Sequence, residues 1–253
     1  MECNAIVCYN EYMSNTLFIG KDLPDGLAFA EVLADSGRSV FGTAKTETDA
    51  AKFESENIFA TTWNKSSAVS SHSVIIRAET KLETINEAVF YFDAANFCSQ
   101  FEIDRTEDIA NGIDTMISGF LYACNELIKR IDQRKEKISV LFLVKEYPSK
   151  YEMISSKTAG IVPASTIVSA AQAAFCAVAE GFATNVSDRE YLSVILAKCG
   201  YSNELYKNED AIAEWAVSAL NTVGTMKNAQ TIKQACAWNK VGAKISTGFA
   251  LFR

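Results

Sequence analysis

The chain has 253 residues, of which 49% are hydrophobic, and this apolar share excludes a mainly disordered protein because it can bury a core. Its 24 basic and 31 acidic residues give a net charge of -7, so we expect no nucleic-acid partner. Seven cysteines without a Cys-x-x-Cys pair disfavour a disulfide framework and a structural zinc site. Because residues 1–15 do not resemble a signal peptide and no apolar run reaches roughly 18 residues, we expect a cytoplasmic protein without a membrane partner.

Short apolar runs alternate with amphipathic segments through the first half of the chain. Residues 16–20 predict a buried strand that ends in glycine, and residues 26–37 predict a helix with one apolar stripe. The run at 88–93 is almost entirely apolar, which is typical of a parallel strand covered on both faces. The same patterns predict further strands at 39–43 and 58–61 and helices at 49–56, 73–86 and 106–131.

The alternation continues to the end of the chain. A fifth strand at 138–144 is followed by a loop at 145–162 that is longer than most connections. The remaining predicted elements are a helix at 164–183, a strand at 192–197, a helix at 210–223 and a strand at 243–252. We therefore predict a Rossmann-like α/β fold, a doubly wound parallel sheet of about seven strands with helices on both faces. It forms one domain over 1–253, with a short extension at 1–15.

The turn at 20–26, with the sequence GKDLPDG, joins the first strand to the first helix. A turn of this kind presents the amides of the helix N-terminus to a phosphate. A tight turn without any ligand explains Gly20 and Gly26 equally well. The turn alone therefore leaves a phosphate site and a purely structural turn both open.

With the residues that follow it, the turn resembles the first βαβ unit of the short-chain dehydrogenases/reductases. Gly20 and Gly26 match the first and third glycines of that family's Gly-x-x-x-Gly-x-Gly turn, and Asp93 opens the stretch that matches its Asn-Ala-Gly turn. The helix at 164–183 resembles the one that carries the family's Tyr-x-x-x-Lys motif. The resemblance covers nearly the whole chain, and it implies NAD(P) as the cofactor, no metal and oxidoreductase chemistry.

The glycine turn departs from the family pattern at Pro24, which takes the place of the middle glycine. Proline has no amide hydrogen, so one potential phosphate donor is lost. Lys21 can compensate as a point charge, whereas Asp22 and Asp25 would repel an anion. Lys45 falls where NADP-preferring members often carry Arg, although a solvated lysine is the alternative. The residues that the resemblance assigns to a nucleotide are Gly20, Lys21, Asp22, Leu23, Gly26, Lys45, Asn64, Asp93 and Ala94.

The positions that match the family's catalytic residues carry residues of other types in this chain. The resemblance places the Asn, Ser, Tyr and Lys of the catalytic tetrad on Met116, Lys145 or Glu146, Thr166 and Ala170. Met116 and Ala170 cannot transfer a proton, and no nearby residue brings the pKa of the Thr166 hydroxyl near neutrality. We therefore expect the chain to lack the general acid that the family uses in hydride transfer.

A substitute pair is present in the loop at 145–162. Tyr151 and Lys157 are six positions apart, close to the wider Tyr-to-Lys spacing of seven in enoyl-thioester reductases. A flexible lid with aromatic anchors is the alternative interpretation of this loop. If the chain is an enzyme, Tyr151 and Lys157 are the predicted catalytic pair.

Two of the predicted helices have too few polar residues for one face to be exposed to solvent. The helix at 164–183 is rich in alanine and nearly free of charge, so we expect it to be buried on all sides. The helix at 107–131 has a similarly broad apolar set. We predict a homodimer or homotetramer that forms through these two helices, as in the resembled family.

Two functions remain open from the sequence. The first is a divergent pseudoenzyme of the resembled family that binds a nucleotide or serves as a scaffold for a partner. The second is an NAD(P)-dependent carbonyl or enoyl reductase whose catalytic residues have moved into the loop at 145–162. The altered glycine turn and the vacated tetrad positions favour the first, because a shared fold does not supply the chemistry.

Overall fold

The computed structural model describes residues 14–101, 106–156, 160–225 and 237–245. Its strands are β1 (Asn15–Leu23), β2 (Ser39–Ala44), β3 (Ile58–Thr62), β4 (Glu87–Asp93), β5 (Ile138–Lys145), β6 (Leu192–Cys199) and β7 (Trp238–Lys240). They form one parallel sheet in the order β3-β2-β1-β4-β5-β6-β7. The predicted Rossmann-like, doubly wound sheet is thereby confirmed.

Helices cover both faces of this sheet. They are α1 (Leu27–Asp35), α2 (Glu47–Lys52), α3 (Ala68–Leu82), α4 (Ala94–Gln100), α5 (Thr106–Ile113), α6 (Gly119–Arg134), α7 (Lys150–Ser156), α8 (Thr166–Asn185) and α9 (Glu209–Gly224). α1 and α9 pack on one face, and α3, α6 and α8 pack on the other. Every residue of β4 is buried, because this strand lies at the centre of the sheet between the two helical layers.

The side of the sheet that carries α8 is packed around one aromatic residue. The Phe175 ring lies 4.8 Å from that of Phe120, 5.2 Å from that of Phe92 and 6.0 Å from that of Phe142, centroid to centroid. All four side chains are fully buried. Burial of each such ring stabilises the fold by about 1.5–3 kcal/mol, so this cluster fixes α6 and α8 against the central strands.

Several predicted boundaries are wrong. The helix predicted at 106–131 is divided by a π-helical turn at Asp114–Ser118, and the loop at 145–162 contains the short helix α7. α3 begins at Ala68 rather than at residue 73, because the Ser67 hydroxyl caps it by accepting from the amide of Ser70.

The last strand is also misplaced by the sequence pattern. β7 is the three-residue segment Trp238–Lys240, paired with β6, whereas residues 243–245 of the predicted strand lack strand structure. Residues 246–252 of that prediction lie outside the described residues. The Trp238 indole donates to Glu180 of α8 and its ring lies under the Lys198 ammonium, so side-chain contacts place this edge strand.

α8 is long and apolar, as the alanine-rich sequence predicts. In the part of the chain that the structure describes, it is the one helix that has the length and composition of a membrane span. Its inner face, with Val168, Phe175 and Phe182, packs in the core. Ala173 and Ala177 on its outer face are exposed within one chain, so the expected burial on all sides depends on the predicted partner copy.

The sheet order creates a crevice at the carboxyl ends of its strands. β1 lies between β2 and β4, and the chain leaves β1 for α1 on one face and β4 for α4 on the other. In open α/β sheets ligands bind at this switch point, outside the carboxyl ends of the strands. The glycine turn and the ends of β4 and β5 therefore delimit the candidate site.

Candidate functional site

The glycine turn is a close-packed connection. Gly20 has a φ of 109°, which favours glycine, and a Cβ there would overlap the Tyr91 carbonyl oxygen and lie 2.8 Å from the Phe120 ring. At Gly26, a Cβ would overlap the carbonyl oxygen of Lys21 and lie 2.9 Å from the Phe18 ring. Both glycines are therefore required by packing, whether or not a ligand binds.

Two amides at the start of α1 are used inside the turn. The Gly26 amide donates to the Asp22 carbonyl oxygen at 3.1 Å, and the Leu27 amide donates to the Pro24 carbonyl oxygen at 3.0 Å. A phosphate at this helix start would have to compete with these bonds. The turn thus keeps the outline of a phosphate-binding loop while bonding two of its own donors internally.

Four charged side chains meet in the crevice and form what we call the switch-point cluster: Lys21, Asp93, Lys145 and Glu209. The Lys21 ammonium lies 2.7 Å from Asp93 Oδ2 and 2.7 Å from Glu209 Oε1. The Lys145 ammonium lies 2.9 Å from Glu209 Oε2 and 3.6 Å from Asp93 Oδ2. Each ammonium therefore contacts both carboxylates, and the cluster has no net charge.

The fold explains why these four residues meet. Asp93 and Lys145 are the last residues of β4 and β5 and face each other in the parallel register. Lys21 follows Gly20 on the neighbouring strand β1, and Glu209 is the first residue of α9. Parallel strands end at one edge of the sheet, so the chain order brings all four side chains to that edge.

Burial makes the pairing in the cluster strong. The four side chains are between 6% and 17% exposed, and charges removed from water in this way must be paired. Burial alone would raise the pKa of Glu209, but the ammonium groups of Lys21 and Lys145 outweigh it and hold that pKa below its usual value. Burial alone would lower the pKa of Lys145, but Asp93 and Glu209 raise it above its usual value. Both groups are thus charged at neutral pH.

Two buried tyrosines flank the cluster. The Lys21 ammonium lies 5.0 Å from the centre of the Tyr91 ring, and the Lys145 ammonium lies 5.2 Å from the centre of the Tyr206 ring. Burial raises the pKa of both phenols, and Asp93 raises it further. Among the residues that the structure describes, neither hydroxyl has a hydrogen-bond partner of good geometry. Both phenols therefore carry a proton that is available to a further acceptor.

A second ion pair crosses the opposite half of the crevice. Asp22 accepts hydrogen bonds from the Thr43 hydroxyl at 2.6 Å and from the Lys65 ammonium at 2.7 Å. Lys65 follows β3, and its stem packs so closely on Gly119 that a Cβ there would lie 2.8 Å away. Trp63 is buried, and its indole donates to the Ser71 hydroxyl. Side chains therefore bridge from β3 to the glycine turn.

The lysines predicted to attract a nucleotide are all paired. Lys45 binds Asp25 at 2.6 Å near the surface, and Lys21 binds Asp93 and Glu209 in the interior. The expectation that Asp22 and Asp25 repel an anion is corrected, because both carboxylates are neutralised by lysines. Asn64 is exposed and accepts from the Ser66 amide and hydroxyl.

Other residues assigned to the nucleotide have structural roles. Leu23 and Ala94 are buried in the core, at 1% and 0% exposure. Asp93 caps α4, because its Oδ1 accepts from the amides of Ala95 and Asn96. These three residues lie at the crevice, but Asp93 is the one whose polar group faces the switch-point cluster.

A neutral cleft lies beside the switch-point cluster. Its volume is about 470 Å³, and it is lined by Ala95, Cys98, Ser99, Tyr147, Val162, Pro163 and Ser165. Burial raises the pKa of the Cys98 thiol to about 11 and also raises that of the Tyr147 phenol, so both are uncharged at neutral pH. The cleft therefore presents apolar surface with hydroxyl and thiol groups.

Among the predicted catalytic positions, Lys145 lies in the switch-point cluster beside this cleft, and its alternative Glu146 pairs with Lys198 at 3.3 Å. The other predicted positions that the structure describes do not line the cleft. Met116 is fully buried in the core, and Thr166 and Ala170 are exposed on α8. Tyr151 is 80% exposed on α7, and its predicted partner Lys157 lies outside the described residues.

Sequence reasoning did not assign Tyr147 and Ser165 to the cleft or Glu209 to the cluster. Tyr147 and Ser165 line the cleft, two residues after the end of β5 and one residue before α8. Glu209 follows Asn208, whose side chain caps α9 by accepting from the Ala211 amide. That helix-cap signal places Glu209 at the carboxyl edge, but it does not give the direction of the side chain.

The described residues contain no group of three or more His, Cys, Asp or Glu side chains arranged to hold a metal ion. The one histidine, His72, lies on α3 and its Nδ1 is 2.8 Å from Glu126 Oε1. The crevice and the cleft are therefore the candidate site.

No protein-family model matches the sequence, and no curated protein matches it. Solved structures match the fold. A 3-ketoacyl-(acyl-carrier-protein) reductase from Brucella melitensis, complexed with NADH, has a TM-score of 0.64 and 13% identity over 90% of this chain and 96% of that one. A serine dehydrogenase from Escherichia coli has a TM-score of 0.60 and 13% identity over 86% and 95%. A short-chain dehydrogenase from Streptomyces avermitilis has a TM-score of 0.60 and 14% identity over 92% and 89%. At this identity the likeness establishes the fold.

Proposed function

We propose that this chain, which has the fold of the short-chain dehydrogenases/reductases, is a binding protein that does not carry out their hydride transfer. The observation that supports this proposal is the switch-point cluster. Lys21 and Lys145 occupy the carboxyl edge with their charges neutralised by Asp93 and Glu209. A lysine held in this way cannot lower the pKa of a neighbouring tyrosine, which general acid–base catalysis at neutral pH requires.

The positions matched to the tetrad support the same proposal. Met116 is a core residue, and Ala170 lies on the outer face of α8. The phenols of Tyr91 and Tyr206 near the two lysines have pKa values raised by burial, so they do not ionise near neutrality. The chain thus lacks, among its described residues at this edge, a proton donor tuned for turnover.

We include weak NAD(P) binding in this proposal. The pyrophosphate of a dinucleotide needs positive charge, and Lys21, Lys45 and Lys65 each already hold a carboxylate. The Gly26 and Leu27 amides at the start of α1 are also bonded within the turn. A dinucleotide would therefore have to break internal contacts, which lowers its affinity.

The test combines binding with turnover. NADH and NADPH are titrated against the chain by nucleotide fluorescence, and oxidation of each is then followed with carbonyl and enoyl-thioester substrates. We expect weak binding or none, and no turnover above the buffer rate. Robust NAD(P)H-dependent reduction that persists in Thr166→Ala would refute the proposal.

We further propose that two copies of the chain associate through the outer faces of α6 and α8. A groove of about 330 Å³ runs between these helices, lined by Leu121 and Ile128 from α6 and by Ala177 and Gly181 from α8. Leu121 is 42% exposed although it is large and apolar. Across a two-fold axis, the leucine of each copy meets the small residues of the other, so the face complements itself.

Sedimentation velocity at micromolar concentration tests this association. We expect a mass of twice the chain or more. A strictly monomeric profile would leave the exposed apolar face without its proposed partner and would contradict this part of the proposal.

A reductase is the second candidate, and one observation favours it. Tyr147 and Ser165 line the same cleft of about 470 Å³, so a phenol and an alcohol face one small-molecule-sized space. If reduction is detected, we expect Tyr147→Phe to abolish it and Tyr151→Phe to leave it unchanged, because Tyr151 is exposed on α7. Loss of activity in Tyr151→Phe but not in Tyr147→Phe would instead identify Tyr151 as the catalytic tyrosine.

A further inference from the structure

We propose that the switch-point cluster is an oxyanion-binding site occupied by the chain's own Glu209, and that a small organic phosphate binds there once the Glu209 carboxylate withdraws. The Glu209 carboxylate spans both ammoniums, with Oε1 on Lys21 at 2.7 Å and Oε2 on Lys145 at 2.9 Å. Two donors that grip two oxygens of one anion are the arrangement that binds a carboxylate or a phosphate.

The groups around Glu209 supply more donors than it uses. Without its carboxylate, Lys21 and Lys145 would share Asp93 alone and the site would carry one positive charge. The hydroxyls of Tyr91 and Tyr206 are buried beside the same lysines and have no hydrogen-bond partner of good geometry among the described residues. Burial raises the pKa of Tyr91, and Glu209 is close enough to raise it further. A phosphate has more oxygens than a carboxylate, so it can accept from ammoniums and phenols together.

Glu209 is the member of the cluster that can leave. Asp93 is fixed at the end of the central strand β4 and caps α4 through the amides of Ala95 and Asn96. Glu209 instead begins α9 behind a connection of nine residues, 200–208, and its side chain is the most exposed of the four. Asn208 caps α9, so the helix keeps its cap when Glu209 moves.

The neighbouring cleft indicates what the rest of the ligand is. Ala95 and Tyr147, which line the cleft, follow Asp93 and Lys145 by two residues each. The cleft groups Cys98 and Tyr147 are uncharged at neutral pH. A ligand with a phosphate in the cluster can therefore extend a neutral organic part into the cleft.

The experiment removes the internal anion and asks whether an external one replaces it. Wild type, Glu209→Gln and Asp210→Asn are titrated calorimetrically with inorganic pyrophosphate and, separately, with NADH. Asp210 is the matched control, because it removes one carboxylate from the same helical turn but is exposed. We expect pyrophosphate to bind Glu209→Gln roughly tenfold more tightly than wild type, and Asp210→Asn to match wild type. A gain with pyrophosphate alone identifies a free-phosphate site, and a gain with NADH as well identifies a nucleotide site.

A second substitution assigns the gain to the cluster. In Glu209→Gln/Lys145→Gln the charge is again balanced, so we expect the added affinity to disappear. Equal affinity in Glu209→Gln and Asp210→Asn, or a gain that survives in the double variant, would overturn the proposal. If Glu209→Gln does not fold, Glu209→Asp replaces it. The aspartate side chain is one methylene shorter, so its carboxylate no longer reaches both ammoniums. We expect this variant to bind pyrophosphate more tightly than wild type, and the absence of that gain would also overturn the proposal. These titrations measure anion affinity and do not depend on whether the chain turns over a substrate.

Discussion

Lys21 and Lys145 are ammonium groups held almost out of water, and this is possible because each contacts two carboxylates. Removing one partner from a buried ion pair costs about 3–5 kcal/mol, since the other charge is left uncompensated. In this cluster the cost of removing Glu209 is reduced, because Asp93 remains beside both lysines and compensates part of their charge. Its members therefore act together, and substitutions within it will not be additive.

The cluster makes the stability of the fold depend on pH in the acidic range. Because the pKa of Glu209 is lowered from its usual 4.5, its ionised form stabilises the folded chain above that pH, and the contribution is lost as the pH falls through the folded value. We expect Glu209→Gln to lose less melting temperature between pH 7 and pH 3 than wild type does. Thermal melts over that range check this.

The control for the acid experiment is Asp210→Asn, which should follow wild type because Asp210 is exposed on the same turn of α9. Equal acid losses in Glu209→Gln and wild type would show that other carboxylates determine the response, such as Glu126 and Asp132, whose pKa values are also lowered by arginine or histidine partners.

At the level of elements, the β1–α1 connection is determined by close packing rather than by a ligand. Gly20 and Gly26 lie against backbone carbonyls and aromatic rings, and the turn amides are bonded to turn carbonyls. A resemblance to phosphate-binding turns is therefore expected from this packing alone. The two glycines keep the shape of such a turn, while Lys21 and Asp22 carry ion pairs across it.

Gly20→Ala in this turn and Gly37→Ala after α1 together separate crowding from backbone strain. Both glycines have positive φ, 109° and 86°, so each substitution costs about 1–2 kcal/mol of strain. Nothing lies within 4 Å of a Cβ at Gly37, whereas one at Gly20 would overlap the Tyr91 carbonyl oxygen. We expect Gly20→Ala to destabilise the fold by several kcal/mol more, measured by urea unfolding. Equal losses would mean that the turn relaxes around the methyl group.

The first six strands and their parallel arrangement could be predicted from the sequence, because buried parallel strands are continuous apolar runs such as 88–93 and 138–144. α4 and α7 could not, because each has seven residues and little apolar periodicity. β7 was missed because Trp238 and its partners Glu180 and Lys198, which place it, are distant in sequence.

Three members of the switch-point cluster were named from the sequence, but the cluster itself was not. Lys21 and Asp93 were assigned to a nucleotide and Lys145 to the tetrad because these positions match motifs of the short-chain dehydrogenases/reductases. Glu209 lies 188 residues after Lys21, and a single sequence does not show that their side chains pair. Local patterns therefore give the edge of the sheet on which residues lie, and long-range ion pairs decide what they do there.

At the scale of the whole molecule, the proposed association depends on Leu121, a large apolar residue that is 42% exposed in the groove where the second copy is proposed to bind. We expect Leu121→Glu to weaken self-association by roughly a hundredfold, because the two-fold axis would bury a pair of unpaired like charges. Val69→Glu is the matched control, since Val69 is a 75% exposed residue on α3, away from the groove. Sedimentation of the two variants checks this, and equal weakening by both would place the interface elsewhere.

The span between Lys21 and Glu209 also sets an order of events during synthesis. A domain generally folds as a unit, so the switch-point cluster cannot be complete before residue 209 has been synthesised. A chain that ended before α9 would leave Lys21 and Lys145 with only Asp93, and one positive charge at this edge of the sheet would be uncompensated. The C-terminal part of the fold therefore supplies the anion that its N-terminal part needs.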